Sequence, residues 1–256
     1  MHNTTHRWIK SATFFMGCML GMLFLAACSQ EDGGTEMTKE SNAVTSEITR
    51  ETHSTTPELF FLGRASVRIL LPSGKTLYID PAEGDKSGYD VPADYVLVTH
   101  QHSDHNNIGL LTLTEGAQIL SCPTDIKAGE TVSLGELEIR AVSAYNDNHS
   151  ASSSCGYVIT LENLVIFHSG DTSMTEDMGD LSAYDIDYAL LCMDGYYNMG
   201  PEEAKNVADL IKPRVVIPIH TSPSGLFDQT NADAFSFEPK IVLKPGESVI
   251  LELKGE

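Results

Sequence analysis

Positively charged side chains are scarce in this sequence. Its 256 residues include 16 Lys and Arg against 36 Asp and Glu, which gives a formal net charge of −20 at pH 7. Nucleic acids are bound largely through Lys and Arg, so we expect no nucleic-acid partner. The acidity does not exclude a substrate that contains phosphate, because bound metal ions would dominate the local field.

Two sequence motifs, one typical of zinc sites and one of serine nucleophiles, are also missing. The sequence contains no Cys-x-x-Cys motif, which disfavours a zinc site built from cysteines. It contains no Gly-x-Ser-x-Gly motif, so no serine nucleophile of that type is indicated. Of the five cysteines, Cys122, Cys155 and Cys192 fall in the predicted folded part. Their spacing does not indicate which pair, if any, forms a disulfide.

A long apolar run is confined to the N-terminus. Residues 11–27 follow Arg7 and Lys10 and end in Leu25-Ala26-Ala27-Cys28. A basic start, an apolar centre and small residues before the end are typical of a secretory signal peptide. The last four residues resemble the lipobox of bacterial lipoproteins. That resemblance implies cleavage before Cys28 and a lipid on Cys28, so the protein would be extracytoplasmic and membrane-anchored in a bacterial cell envelope.

An uncleaved membrane helix is the alternative, although a run of 17 residues is at the short limit for spanning a bilayer. Residues 28–58 are rich in Ser, Thr, Glu and Gly and predict a disordered linker. We therefore divide the chain into a signal peptide (1–27), a linker (28–58) and one folded domain (59–256).

The domain begins with short strands and continues with helices that alternate with apolar strands. The clearest predicted helix is 201–211, which has Pro201 at its first turn and a buried face of Ala204, Val207, Ala208 and Ile211. A second helix is predicted within 173–181, and a strand at 241–243. Two packed sheets with helices outside would fit this order.

Metal-ligating side chains are concentrated directly after the apolar residues 95–98. His100, His102, Asp104 and His105 lie within six residues there. Imidazole together with carboxylate suits Zn²⁺, Fe²⁺ or Mn²⁺. A helix would place His100 and Asp104 on one face. A tight loop would instead direct His100 and His102 one way and Asp104 and His105 another, which would serve two metal ions.

Three further candidate ligands occur beside predicted strands. His149 precedes one strand, and Asp171 and His220 each follow the end of an apolar strand. Loops at one rim of a sheet are a common place for a site to assemble. These residues could therefore complete the ligand set.

Five short blocks of the sequence, taken together, resemble those of a known protein family. Five blocks occur in order: Gly63-Arg64-Ala65-Ser66 with Ile79-Asp80-Pro81; 99–105; Ala144-Tyr145-Asn146 with His149; 168–172; and a block that ends in Pro218-Ile219-His220. They resemble the metallo-beta-lactamase superfamily of metal-dependent hydrolases. They are most similar to the branch of ascorbate-phosphate lactonase-like and N-acylphosphatidylethanolamine phospholipase D-like proteins. The resemblance implies a single α/β domain, a four-layer αββα sandwich.

The resemblance also implies roles for individual residues. His100, His102 and His149 would bind one divalent metal ion, Asp104, His105 and His220 the second, and Asp171 would bridge both. The ions would be Zn²⁺ first, with Mn²⁺ and Fe²⁺ as alternatives. Asp104 and Asp171 would be catalytic, because they would hold and orient a bridging hydroxide. Asp80 would support a ligand histidine. Arg64 and Asp194 depart from the family pattern.

The expected function is hydrolysis of a phosphodiester, lactone or other ester, either a small molecule or a lipid-like substrate. Two alternatives remain: an iron-dependent redox enzyme on the same fold, and a non-catalytic surface lipoprotein that binds a metal or ligand. The sequence does not indicate the oligomeric state.

Overall fold

A computed structural model describes residues 56–82 and 84–254. The predicted signal peptide and most of the predicted linker lie outside the described residues, so both stay predictions. Within the described part, no helix combines the length and the apolar character needed to cross a membrane. The first strand begins at Glu58.

The first sheet has six strands in the spatial order β12-β1-β2-β3-β4-β5. Strands β1, β2 and β3 form antiparallel pairs, whereas β3, β4 and β5 run parallel. The bounds are β1 Glu58–Gly63, β2 Ser66–Leu70, β3 Thr76–Ile79, β4 Ala93–Val98, β5 Leu113–Ser121 and β12 Ser248–Ile250.

The second sheet also has six strands, in the order β11-β10-β9-β8-β7-β6. Strands β9, β10 and β11 run parallel, and β6 to β9 form antiparallel neighbours. The bounds are β6 Thr131–Leu134, β7 Leu137–Ser143, β8 Cys155–Leu161, β9 Leu164–His168, β10 Tyr188–Cys192 and β11 Val215–Ile219.

The main core lies between the two sheets. Phe61 and Ile79 from the first sheet and Tyr157 and Leu190 from the second belong to one buried cluster. Complete burial of an aliphatic side chain of this size contributes about 1.5–3 kcal/mol. The sandwich is therefore held together mainly by apolar contacts between its inner faces.

Helices cover the outer faces. Helix α1 (Pro201–Ile211) and a 3-10 helix (Met178–Tyr184) pack in a second apolar cluster with residues of β8 to β11. Phe235, directly after helix α2 (Gln229–Ala234), belongs to the same cluster. Two short 3-10 helices, Lys86–Tyr89 and Ile108–Leu110, contact a smaller cluster on the first sheet. The predicted αββα sandwich is confirmed, with a thin outer layer on the first sheet.

Three local elements differ from the sequence prediction. Within 173–181 the structure has only the start of the 3-10 helix Met178–Tyr184. The backbone N–H groups of Ser173 and Met174 donate to Tyr145 O and Glu203 Oε1, and the backbone before Met178 is not helical. Residues 241–243 form no strand, since pairing with β11 is limited to a single bridge at Lys240. Helix α2 was not predicted.

Candidate metal centre

The seven predicted ligands meet at one rim of the sandwich. Loops that follow the ends of β4, β9 and β11 supply all of them except His149, which lies in the segment between β7 and β8. Strands β9 and β11 run parallel in the second sheet and end at the same edge of it, and β4 of the first sheet ends beside them. The segment after β4 that contains His100 to His105 forms turns and bends rather than a helix. The loop alternative for His100 to His105 is therefore the observed one.

The first cluster consists of His100, His102 and His149. One candidate ligand atom from each residue lies within 4.8 Å of the others. His149 Nε2 lies 3.2 Å from His102 Nδ1, and the His100 ring centroid lies 4.7 Å from both other rings. These three imidazoles are the set that the sequence assigns to the first ion.

The second cluster consists of Asp104, His105 and His220, which also offer ligand atoms within 4.8 Å of one another. Asp104 Oδ2 lies 3.9 Å from His105 Nε2 and 3.7 Å from His220 Nε2. This is the set that the sequence assigns to the second ion.

Asp171 lies between the two clusters. Its Oδ1 is 3.3 Å from His105 Nε2, and its Oδ2 is 3.6 Å from His220 Nε2 and 3.7 Å from His149 Nε2. The carboxylate therefore faces ligands of both predicted ions, as a bridging residue must.

Several buried polar atoms in the clusters have no hydrogen-bond partner among the described residues. They are His100 Nε2, His105 Nε2, His220 Nε2 and Asp171 Oδ1. Burial of such atoms without a partner costs free energy, so they indicate a missing ligand. Imidazole nitrogen and carboxylate oxygen are donors for borderline divalent ions. The residues present therefore fit a pair of divalent metal ions.

One buried carboxylate, Asp80, supports histidines of both clusters. It accepts a hydrogen bond from His105 Nδ1 at 2.8 Å and from Thr99 Oγ1 at 2.7 Å. Thr99 Oγ1 in turn lies 3.1 Å from His100 Nδ1. The single hydroxyl hydrogen of Thr99 is donated to Asp80, so towards His100 the Thr99 oxygen can only accept. His100 Nδ1 is therefore the donor in that contact. These contacts fix both rings with Nε2 towards the centre.

Polar residues also hold the two histidines that come from other loops. His149 Nδ1 lies 2.8 Å from Asn146 Oδ1, so the ring donates there and directs Nε2 towards His102. His220 Nδ1 lies 3.2 Å from Asp194 Oδ2. Asp194 also accepts hydrogen bonds from the backbone N–H groups of Tyr196 and Tyr197. The sequence singled out Asp194 only as a departure from the family pattern, and its contact with His220 is visible in the structure alone.

Burial and neighbouring charges shift the pKa values of the histidines in the centre. Burial lowers the pKa of His100 to about 3, so this ring is neutral. Burial opposes protonation of His220 as well, but Asp171 and Asp104 raise its pKa to about 9. The pKa of His105 is also raised, since Asp171 and Asp80 outweigh its burial. The carboxylates around the centre therefore favour positive charge at both of these rings.

His168 is not one of the ligands of the centre. It is fully buried, with Nε2 2.9 Å from Ala65 O and Nδ1 accepting from Gly170 N at 3.2 Å. It connects the turn after β1 to the loop that carries Asp171. Cys122, Cys155 and Cys192 are buried free thiols.

A cavity of about 400 Å³ opens onto the centre. Five of the seven candidate ligands line it, together with Arg64, Asn148, Tyr197 and Pro223; the five are His102, Asp104, His149, Asp171 and His220. Arg64 Nη1 donates to Asp104 Oδ2 at 2.6 Å. Sequence reasoning singled out Arg64 as a departure but gave no sign of this contact, which joins residues far apart in the chain.

Comparison with known proteins agrees with this geometry. The family model described as the beta-lactamase superfamily domain matches residues 58–220, a range that contains all seven candidate ligands. The chain belongs to the metallo-beta-lactamase superfamily. The UPF0173 metal-dependent hydrolase of Pyrococcus furiosus is 32% identical over 222 residues, which cover 75% of this chain and 98% of that protein.

Solved structures show the same superfamily fold. Igni18, a metallo hydrolase from Ignicoccus hospitalis, superposes with a TM-score of 0.63 at 23% identity, over 78% of this chain and 100% of that one. The diiron beta-hydroxylase CmlA from Streptomyces venezuelae superposes with a TM-score of 0.58 at 15% identity, over 77% of this chain and 54% of that one. At these identities the likeness concerns the fold alone.

Proposed function

We propose that this protein is a metal-dependent hydrolase that uses two divalent metal ions to cleave a phosphodiester, a lactone or another ester. The observation that supports this most directly is the position of Asp171 between two complete triplets of ligand atoms. Membership of the superfamily and the name of the Pyrococcus furiosus relative point the same way.

His100, His102 and His149 would hold one ion, Asp104, His105 and His220 the other, and Asp171 both. Bound divalent ions would lower the pKa of a water molecule towards 7 and polarise a substrate oxygen as Lewis acids. We take Zn²⁺ as the first choice for this donor set, with Mn²⁺ and Fe²⁺ as alternatives.

The chain's own groups supply orientation and proton handling. Asp171 is held in a nearly closed environment, 4% exposed, so its position is fixed before substrate arrives. Asp104 is more accessible, with a side chain that is 26% exposed, and faces the cavity. Asp104, or a water molecule beside it, is therefore better placed than Asp171 to pass a proton to the leaving group. The hydrogen bond with His220 lowers the pKa of Asp104, so the carboxylate would first take that proton from the attacking water.

We further propose that the domain works outside the cytoplasm, attached to a membrane by a lipid on Cys28. The support is the sequence Leu25-Ala26-Ala27-Cys28 after an apolar run. An anchored domain would meet either small-molecule or lipid-like substrates at the cell envelope.

An iron-dependent redox reaction is the second candidate. The donor set of imidazole and carboxylate also accepts iron, and the fold is shared with a diiron hydroxylase. A non-catalytic binding role is the third, and the complete ligand set is the observation against it.

Metal analysis of the purified full chain, combined with a screen over phosphodiesters, lactones and thioesters, tests the proposal. We expect two equivalents of zinc or manganese and turnover that a chelator abolishes and added metal restores. Two equivalents of iron with oxygen consumption would favour the redox candidate. A fully metallated protein that binds ligands but turns over none of these substrates would favour the binding role.

A further inference from the structure

Arg64 is placed on the cavity wall directly beside the candidate metal ligands. Its Nη1 donates to Asp104 Oδ2 at 2.6 Å, and 12% of its side chain is exposed. Among the described residues that line this cavity, it is the one whose side chain carries a permanent positive charge. The cavity wall therefore contains a fixed cation next to the reaction centre.

The backbone holds Arg64 in a fixed and costly conformation. Arg64 N donates to Leu226 O at 2.8 Å, and Arg64 O accepts from His220 N at 2.7 Å. Its φ of +51° lies in the left-handed region, which costs a non-glycine residue roughly 1–2 kcal/mol. Glycine would occupy this position at lower cost, so the side chain of Arg64 is the feature that needs an explanation.

The charges around Arg64 suggest what it binds. Asp104 and Asp171 are assigned to the metal ions, while the whole chain has a net charge of −20 that repels anions at long range. Bound metal ions would already attract an anion to the centre, and Arg64 adds a cation at a fixed position on the wall beside them. The planar guanidinium group matches the geometry of phosphate and carboxylate oxygens.

We infer that Arg64 binds an oxyanion of the substrate, a phosphate or a carboxylate, next to the scissile bond. The substrate is then an anionic ester, either a phosphodiester or an ester that bears a carboxylate, rather than a neutral lactone. This inference rests on the proposed hydrolase function. The competing explanation is that Arg64 only positions Asp104.

Kinetics on matched substrates separates these explanations. Mono-p-nitrophenyl glutarate and p-nitrophenyl butyrate share a scissile ester but differ in a carboxylate, and bis(p-nitrophenyl) phosphate supplies the phosphodiester. Each is measured with the metal-loaded wild type, Arg64→Met and Arg64→Lys. Arg140→Met is the matched control, because Arg140 lies on β7 and contacts Thr131 away from the metal centre. Metal content is measured for every variant.

We expect Arg64→Met to lower kcat/KM on anionic substrates about 10- to 100-fold, mainly through KM, as for a lost charge-assisted hydrogen bond. The neutral ester should change less than about threefold, Arg64→Lys should recover part of the loss, and Arg140→Met should match the wild type. A larger loss of kcat/KM on the phosphodiester would identify the bound oxyanion as a phosphate, and a larger loss on the carboxylate ester would identify it as a carboxylate. Equal loss on charged and neutral esters, no loss on either, or a drop in metal content in Arg64→Met would overturn the inference.

A binding measurement keeps the inference separate from the proposed function. Titration of inorganic phosphate into the metal-loaded protein should show affinity about 10- to 100-fold weaker in Arg64→Met than in the wild type or Arg140→Met. If no ester is hydrolysed but this difference is present, the hydrolase proposal fails and the oxyanion site stands. If esters are hydrolysed and phosphate affinity is unchanged, the oxyanion site fails and the hydrolase proposal stands.

Discussion

At the scale of single residues, the candidate ligands differ in how deeply their side chains are buried. His105 is fully buried, whereas His102 is exposed at the cavity. Loss of a buried ligand would disturb metal binding and packing together. His102 is therefore the position at which a ligand can be removed with the least effect on the fold.

We predict that His102→Ala abolishes turnover and lowers the metal content from two ions per chain. The loss of affinity at its site should exceed the roughly 10- to 100-fold that loss of a supporting contact costs. Metal analysis and circular dichroism on the same sample check this. Ser103→Ala, an exposed neighbour that is no candidate ligand, is the matched control and should keep both ions. Full metal content and activity in His102→Ala would overturn the ligand assignment.

The raised pKa of His220 predicts how metal affinity depends on pH. Its value of about 9 in the folded protein lies above the ordinary 6.5, so the protonated ring stabilises the metal-free fold below about pH 6.5. This contribution is lost as the pH rises towards 9. A metal ion needs the neutral ring, so metal affinity should rise over the same interval.

Calorimetric titration of metal at pH 7, in buffers with different ionisation enthalpies, measures the protons released. We expect release from His105 and His220, whose pKa values are raised, and none from His100, whose pKa is lowered to about 3. Metal binding without any proton release would contradict this charge assignment.

The residue types of the site were predictable from the sequence, but two of its contacts were not. Clustered histidines after an apolar strand indicate ligands by themselves. The Arg64–Asp104 and His220–Asp194 contacts join loops that are distant in the chain. No local pattern encodes such distances, so only the fold reveals them.

At the scale of elements, prediction succeeded where the signals are local. Helix α1 was predicted with its observed bounds, because Pro201 starts it and one face is apolar. The predicted 173–181 helix was wrong in most of its length. Ser173 and Met174 contact Tyr145 and Glu203, which are distant in the chain, and no local pattern shows these contacts. Helix α2 was missed although Asp228 caps it by accepting from Thr230 N, a signal that the sequence contains.

Close approach of three strand ends depends on Gly170. Its φ is +60°, and a Cβ there would lie 2.8 Å from Cys155 O and 3.1 Å from Thr99 Cβ. Thr99 belongs to the segment that supports His100, and Asp171 follows directly. A side chain at this position would push apart the elements that hold both clusters.

We predict that Gly170→Ala lowers the free energy of unfolding by about 2–5 kcal/mol, from a left-handed conformation and an overpacked contact together. It should also weaken metal binding. Gly116→Ala is the matched control, since Gly116 has φ +81° with nothing within 4 Å of a Cβ. Gly116→Ala should lower the free energy of unfolding only by the cost of the left-handed conformation, about 1–2 kcal/mol. Equal losses in the two variants, measured by denaturant unfolding, would contradict a steric role for Gly170.

At the scale of the whole molecule, the predicted N-terminal signal decides where the domain works. We expect Cys28→Ala to lose lipid and to leave the membrane fraction, because the lipid would be attached to that thiol. Detergent phase partitioning of cells that express the full chain measures this. Cys18→Ala, within the same apolar segment, should keep the lipid. Membrane association that survives Cys28→Ala would support an uncleaved membrane helix instead.

The support that Asp80 gives to both clusters would link the two proposed metal sites thermodynamically. It holds His105 of one site directly and His100 of the other through Thr99. An ion that orders one of these rings also orders the carboxylate on which the other depends. Filling of the first site should therefore raise the affinity of the second, and by reciprocity the ions should load and leave as a cooperative pair.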